Sequence, residues 1–119
     1  MVQETGKVND NLQAFLQIEL TSGATFDCLL DMGFDGALVL PRSFVQANSI
    51  PIVGDETYTA AEGNEFKADI GIAEIKWLAN VSSIRVLASE VGDALIGVEM
   101  LADTLLEIDY KNQTVKIIK

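Results

Sequence analysis

The chain contains no histidine, and Cys28 is its only cysteine among 119 residues. The absence of histidine excludes Ser-His-Asp and Cys-His catalysis, histidine acid–base chemistry and histidine-ligated metal sites. A single cysteine excludes an internal disulfide and a cysteine-rich zinc site. We expect Cys28 to be a small core residue, because no histidine base is present to activate its thiol. No loop carries the spaced carboxylates that hard cations prefer, so we expect neither a metal ion nor a cofactor.

Basic residues are also scarce, since 8 Lys and Arg stand against 18 Asp and Glu, for a net charge of -10. Such a surface repels nucleic-acid phosphates and anionic lipid headgroups, so we expect no nucleic acid and no membrane as partner. No apolar run approaches the ~20 residues that cross a bilayer. The polar residues 1–10 do not resemble a signal peptide, and we expect a cytoplasmic protein.

Proline and linker-like sequence are rare too: there are two prolines and no Gly/Ser-rich stretch that would divide the chain. With 119 residues and 49% apolar content, the chain has enough material for one domain with its own core. We expect the single tryptophan, Trp77, to pack in that core. Residues 1–11 are predicted to form a flexible lead-in, and residues 12–119 a single domain.

Short stretches of alternating apolar and polar residues dominate the chain. Every second residue from Leu12 to Leu20 is apolar, which predicts a half-buried strand, and residues 24–31 predict a second strand with an apolar end. A change of parity near Gly71 predicts a β-bulge. Short helices are expected only at residues 41–48 and 98–103. This pattern predicts an all-β fold, a barrel or a sandwich.

Asp31 is the best candidate for a catalytic group, because carboxylates are what remains without histidine. It ends an apolar strand directly before Met32 and Gly33, where a charge without a partner is unfavourable. Taken alone, Asp-x-Gly predicts a simple turn whose carboxylate accepts backbone N–H groups. The tripeptide is also unspecific, since residues 69–71 match it as well.

A longer pattern around Asp31 resembles the active-site stretch of the retropepsin-like aspartic proteases. Residues 29–41 give an apolar strand, Asp31-Met32-Gly33, a small loop and a second apolar strand. Two further segments follow in the order of that family. Residues 60–64 are similar to the flap, a hairpin that closes over substrate, and residues 94–101 are similar to an apolar strand that ends in glycine.

The resemblance implies an all-β, closed retropepsin-like β-barrel with one or two short helices. It also implies a homodimer, because each chain supplies one catalytic Asp31 and the chemistry needs two. Paired carboxylates share one proton and activate a water for hydrolysis of an extended peptide or protein substrate. The other roles it implies are an active-site loop of Met32 and Gly33, a substrate-binding flap of Ala61, Glu62 and Gly63, and loop support from Ile96 and Gly97.

Met32 departs from the family pattern, which has Thr or Ser at this position. In the family that hydroxyl donates across the dimer axis and braces both aspartates, whereas Met has no donor. A catalytically weak or inactive dimer that serves as a peptide-binding module therefore stays open as an alternative. So does an ordinary β-barrel that matches by chance. In a dimer, we expect the C-terminal strand, residues 115–118, to contribute to the interface.

Overall fold

A computed structural model describes residues 1–59, 63–90 and 94–119, without the side chains of residues 58, 59 and 66. The all-β class predicted by the alternation is confirmed: the described chain holds mainly strands, one α-helix and one 3₁₀ helix. No helix within these ranges is long and apolar enough to span a membrane. The strands are β1 (Gln3–Val8), β2 (Ala14–Leu20), β3 (Thr25–Leu30), β4 (Leu38–Pro41), β5 (Ile52–Thr59), β6 (Glu65–Trp77), β7 (Asn80–Ser89), β8 (Leu95–Ile96), β9 (Leu105–Asp109) and β10 (Thr114–Ile118).

The strands hydrogen-bond in the order β5-β6-β7-β4-β8-β3-β2-β1-β10-β9. The helix α1 (Arg42–Ala47) connects β4 to β5, and the 3₁₀ helix (Val98–Leu101) follows β8. Strands β3 and β8 are parallel, as are β4 and β7, and the other pairs are antiparallel. β2 also pairs with β6 through Glu19–Lys76 and Leu20–Ile75. β2 is therefore linked to β6 in two ways, directly and through β3, β8, β4 and β7.

One apolar core lies among these strands. Its most deeply buried side chains, all under 2% exposed or fully buried, are Leu16, Ile18, Cys28, Leu38, Leu40, Val45, Ile75, Val86, Ile96, Val115 and Ile117. The alternation in β2 accounts for Leu16 and Ile18, because successive side chains of a strand point to opposite faces. Burial raises the pKa of the Cys28 thiol to about 12, and the nearby Asp27 charge adds to the effect. Cys28 is therefore confirmed as an inert core residue.

Trp77 also belongs to the core, as predicted. It is buried, and its Nε1–H donates to the carbonyl of Met100 at 3.2 Å. A buried indole N–H without a partner would be costly, so this hydrogen bond fixes the side chain against the 3₁₀ helix.

The flexible lead-in predicted for residues 1–11 is wrong, because Gln3–Val8 form β1. This strand pairs with β10 along residues 3–7 and with β2 at residues 7 and 8, and its last residue, Val8, is buried. The other side chains of β1 are mostly polar, so the sequence resembles a loop. Backbone hydrogen bonds to two neighbouring strands hold it in place instead.

Two smaller predictions also need correction. Leu12 is 65% exposed with φ of 63°, in a turn before β2, so the strand begins at Ala14. The irregularity expected near Gly71 lies on the neighbouring strand, between Ile52 and Gly54 of β5. Ile52 pairs with Gly71, and Gly54 pairs with Ile70. The parity change therefore indicated the right place in the sheet but the wrong strand.

Candidate active site

Asp31 follows β3 directly, and its backbone is fixed on both sides. Its N–H donates to the carbonyl of Ile96 at 2.9 Å, and its carbonyl accepts the N–H of Phe34 at 3.1 Å. The first bond extends the β3–β8 pairing by one residue, and the second closes a tight turn. The loop that carries the carboxylate is therefore set by backbone geometry, independently of the side chains it bears.

The loop exists because β8 lies between β3 and β4. Leu30 pairs with Ile96 in the parallel direction, and Ile96 pairs with Leu38 in the antiparallel direction. The chain cannot pass from β3 to β4 by a hairpin, since another strand occupies the space between them. Residues 31–37 instead cross the end of β8. Ile96, which the sequence assigned to loop support, is fully buried at this crossing.

Gly97 lies directly against the loop. A Cβ atom at this position would stand 2.1 Å from the carbonyl oxygen of Gly36 and 2.7 Å from that of Phe34. The Gly97 N–H donates to the carbonyl of Ala37 at 2.8 Å, and the Val98 N–H donates to that of Phe34 at 3.0 Å. Any side chain at residue 97 would displace the loop, so glycine is required for the close approach of the two backbones.

The Asp31 carboxylate forms one local hydrogen bond. Its Oδ1 accepts the backbone N–H of Gly33 at 2.9 Å, which is the simple turn that Asp-x-Gly predicts on its own. A Cβ at Gly33 would stand 3.2 Å from Oδ1, so the glycine lets the turn close tightly. Among the described residues, Oδ2 has no hydrogen-bond partner and no Lys or Arg forms an ion pair with Asp31. The half-buried carboxylate can therefore accept a hydrogen bond from another molecule.

Met32 occupies the tip of the loop with 58% of its surface exposed. Val98 is exposed as well and is tied to the same loop through its hydrogen bond to Phe34. Two exposed apolar residues thus belong to the Asp31 loop or are bonded to it, and Met32 stands where the family pattern has a hydroxyl.

A groove of about 550 Å³ opens beside the loop. Gly33 and the residues up to Leu38 line it together with residues from β5, β7 and the 3₁₀ helix. Among these residues, the side chains of Arg85 and Glu56 are paired with each other. The lining residues are Gly33, Phe34, Asp35, Gly36, Ala37, Leu38, Glu56, Arg85, Leu87 and Glu99.

Only part of the flap assignment falls on described residues. Ala61 and Glu62 lie outside them. Gly63 is exposed with φ of 88°, and a Cβ there would have nothing within 4 Å. The neighbouring strands pair up to Thr59 and Glu65, so Gly63 lies beyond the end of the β5–β6 ladder. Its contact with substrate stays a prediction.

Sequence reasoning missed several residues that line the groove. Glu99 could have been found, since it stands two positions after Gly97 in the third resembling segment. Phe34 could have been found as the one aromatic residue of the loop. Glu56 and Arg85 lie in strands far from Asp31 along the chain, and only the sheet brings them to this place. Across the described ranges, no three Cys, Asp or Glu side chains are grouped closely enough to hold a metal ion.

No family model and no curated protein matches the sequence. Solved structures do match. A retropepsin-like aspartic protease from Rickettsia conorii has a TM-score of 0.73 and 13% identity, over 97% of this chain and 89% of that one. The fold is that of the retropepsin-like aspartic proteases. EIAV protease, solved with the inhibitor HBY-793, has a TM-score of 0.65 and 18% identity, over 80% of this chain and 90% of that one.

The simian foamy virus (mac) protease shares the retropepsin-like fold with a TM-score of 0.55 and 18% identity, over 73% of this chain and 90% of that one. At such identities the likeness concerns the fold, and it supports the resemblance stated from the sequence. In this retropepsin-like fold the loop at Asp31, the crossing strand β8 and Gly97 form one continuous unit.

Proposed function

We propose that the protein is an aspartic endopeptidase that acts as a homodimer, in which two Asp31 carboxylates activate a water molecule. One observation carries the proposal. Asp31 stands on a loop fixed by β8 and Gly97 and keeps Oδ2 without a partner among the described residues, and the same loop lines a groove of about 550 Å³ from Gly33 onward. The retropepsin-like fold supports the proposed reaction class.

The proposed chemistry needs no covalent intermediate. Two carboxylates that face each other cannot both ionise, so the pair holds one proton. The ionised Asp31 takes a proton from the water molecule while the water oxygen bonds to the scissile carbonyl carbon. The protonated Asp31 of the other chain donates its proton to the carbonyl oxygen. When the tetrahedral intermediate collapses, the C–N bond breaks, the leaving nitrogen takes a proton from one carboxyl group of the pair, and a hydroxyl of the intermediate gives its proton to the other carboxylate, so the pair again holds one proton.

The dimer is proposed because one chain brings one such aspartate. The exposed apolar residues Met32 and Val98 belong to the Asp31 loop or are bonded to it, and they give a second copy a surface to cover. The expectation that residues 115–118 contribute to the interface stays a prediction, but they have no free strand edge to pair with a second copy. Both edges of β10 are already paired, with β1 and β9. We therefore place the proposed contact at the loop.

The alternative is a dimer that binds an extended peptide without cutting it. Met32 favours this alternative, because a thioether cannot donate the hydrogen bond that a hydroxyl would supply across the axis. An extended peptide in the groove would bind by strand-like hydrogen bonds in both cases. Cleavage separates the two functions.

The first test combines light scattering with a peptide library at acid pH. We expect a mass about twice the 12.9 kDa of one chain, and cleavage products identified by mass spectrometry. A dimer that binds but does not cleave would establish the binding module. A monomer with full activity would contradict the two-carboxylate mechanism.

Methionine oxidation by hydrogen peroxide gives a second test of the interface. Met1 is 98% exposed and Met100 is 6% exposed, so they serve as fast and slow internal references. We expect Met32 to oxidise quickly at low protein concentration and slowly at concentrations where the dimer forms, while the ratio of Met1 to Met100 stays constant. Equal oxidation of Met32 at all concentrations would place it outside the interface.

A further inference from the structure

The groove beside the Asp31 loop is large enough to hold side chains of a peptide, since its volume of about 550 Å³ falls in the range of small-molecule sites. Its lining is mixed: the half-buried Phe34 and Leu87 supply apolar surface, and polar side chains supply the rest. The polar residues that border it then decide which side chains it accepts.

Three carboxylates and one guanidinium border the groove: Asp35, Glu56, Glu99 and Arg85. The Arg85 guanidinium is already paired with Glu56. Asp35 and Glu99 form no ion pair with any Lys or Arg in the ranges that the structure describes. The groove therefore keeps a net negative charge after its own cation is accounted for.

The two unpaired carboxylates belong to segments that are hydrogen-bonded to each other. The backbone N–H of Glu99 donates to the carbonyl of Gly36 at 3.2 Å, which holds residue 99 against the residue that follows Asp35. Both acidic residues thus belong to the loop and to the segment bonded to it, whereas Arg85 and Glu56 belong to β7 and β5. The carboxylates without an ion pair therefore border the groove from the segments nearest the Asp31 loop.

We infer that this groove selects peptides with a lysine or arginine side chain close to the scissile bond. The inference rests on the proposed function and names its substrate class. The aliphatic stem of such a side chain would pack on Phe34 and Leu87, while its charged end stays near Asp35 and Glu99. The chain's net charge of -10 would also attract basic peptides over longer distances.

Binding of three fluorescein-labelled peptides tests the inference. They consist of alternating valine and alanine, with lysine, norleucine or glutamate at one central position. Norleucine has the aliphatic stem of lysine without its charge. By fluorescence anisotropy at low salt, we expect the lysine peptide to bind roughly five- to tenfold more tightly than the norleucine peptide, and the glutamate peptide to bind weakest. The preference should shrink at about 0.5 M NaCl.

Charge-removing variants then locate the preference. Asp35→Asn and Glu99→Gln should each reduce the ratio of norleucine to lysine dissociation constants, and the double variant should bring it close to one. Glu107→Gln is the matched control, because Glu107 is an exposed carboxylate on β9 outside the groove. It removes the same charge and should keep most of the preference. Circular dichroism checks that each variant is folded.

Mass spectrometry of the same samples separates this inference from the proposed function. Cleavage with equal binding of the lysine and norleucine peptides overturns the inference and leaves the peptidase standing. A lysine preference that the double variant loses, without cleavage in any sample, supports the inference and favours the binding module. A preference that survives in the double variant, or no binding of any peptide, overturns the inference.

Discussion

Two Asp-x-Gly tripeptides occur in this chain, Asp31-Met32-Gly33 and Asp69-Ile70-Gly71, and they adopt different structures. The first forms a loop whose carboxylate accepts the N–H of Gly33. The second lies in the middle of β6, where Asp69 pairs with a residue of β5 on one side and of β7 on the other. The tripeptide itself therefore decides neither structure.

The charges of the two aspartates are also handled differently. The Asp69 carboxylate forms an ion pair with Arg42 at 2.7 Å, and this bond is the main reason why the pKa of Arg42 is raised. Asp31 has no such cation among the described residues. A carboxylate already paired with an arginine is occupied, whereas one held by a single turn amide can still accept a hydrogen bond from another molecule. The comparison teaches that the partner, more than the motif, decides which carboxylate stays available.

The largest effect should come from exchanging each aspartate for its amide. Asp31→Asn should reduce kcat/KM for any cleaved peptide by roughly 1,000-fold or more, because an amide cannot act as a base toward water. The fold should persist, since an amide oxygen still accepts the Gly33 N–H. Asp69→Asn is the matched control and should keep its activity. It weakens a partly exposed ion pair worth up to about 1 kcal/mol. Loss of cleavage in Asp69→Asn alone would reverse the assignment.

The next largest effect should come from alanine substitutions at one glycine in each region, Gly97 beside the Asp31 loop and Gly71 in the second tripeptide. Gly97→Ala places a Cβ 2.1 Å from the Gly36 carbonyl oxygen, so we expect a loss of unfolding free energy of about 3 kcal/mol or more. Gly71→Ala meets Cγ2 of Ile50 at 3.0 Å and the carbonyl oxygen of Pro51 at 3.2 Å, which are less severe contacts, and should cost less, about 1–2 kcal/mol. Urea unfolding measures both. Equal stabilities of Gly97→Ala and the parent protein would mean that residue 97 does not hold the loop.

Met32→Thr tests the residue between Asp31 and Gly33, where the first tripeptide departs from the family pattern. If the loops meet across an axis, two recovered hydroxyl donors of ~1 kcal/mol each would tighten the dimer by roughly tenfold or more. Acid-pH peptidase activity should rise, while thermal stability changes little because Met32 is largely exposed in one chain. Met32→Val is the control, since it has the shape of threonine without the hydroxyl. A Thr variant that dimerises normally yet cleaves no better than the parent would show that Met32 does not limit catalysis.

The smallest effect concerns a third aspartate, Asp109, the last residue of β9, directly before the turn to β10. Its Oδ1 accepts the backbone N–H groups of Asn112 and Lys111 at 3.0 Å, where Asp31 accepts one. The bonds from Asn112, backbone first, are the main reason why the pKa of Asp109 is lowered. A lowered pKa in the folded state means that the carboxylate stabilises the turn above about pH 4, and that this is lost as pH falls through the folded value.

The Asn112 amide resonance should therefore shift in an NMR titration from about pH 6 to pH 2, with its midpoint below the usual aspartate range. Asp109→Asn should remove that titration without changing the rest of the spectrum. A midpoint at or above the ordinary value would show that the turn amides do not hold the charged form.

The sequence by itself determined the secondary structure and the core to a large extent. Alternation in β2 placed Leu16 and Ile18 inside, because a strand's side chains point alternately to its two faces. The apolar run before Asp31 and the glycine at residue 97 also marked the loop region. The sequence could not show that Gln3–Val8 form a strand. β1 is held chiefly by backbone hydrogen bonds to β2 and β10, and its mostly polar side chains give no sign of them.

Only the tertiary structure decided which Asp-x-Gly forms a loop and which forms a strand. Strand β8 inserts between β3 and β4, so the chain after Leu30 must cross over it in a loop. The chain after Asp69 meets no such obstacle and continues as a strand between β5 and β7. The pairing of Arg42 with Asp69 and the approach of Arg85 to the groove also join residues distant along the chain. Contacts of this kind depend on how the sheet is assembled, and a local pattern of residues carries no record of that.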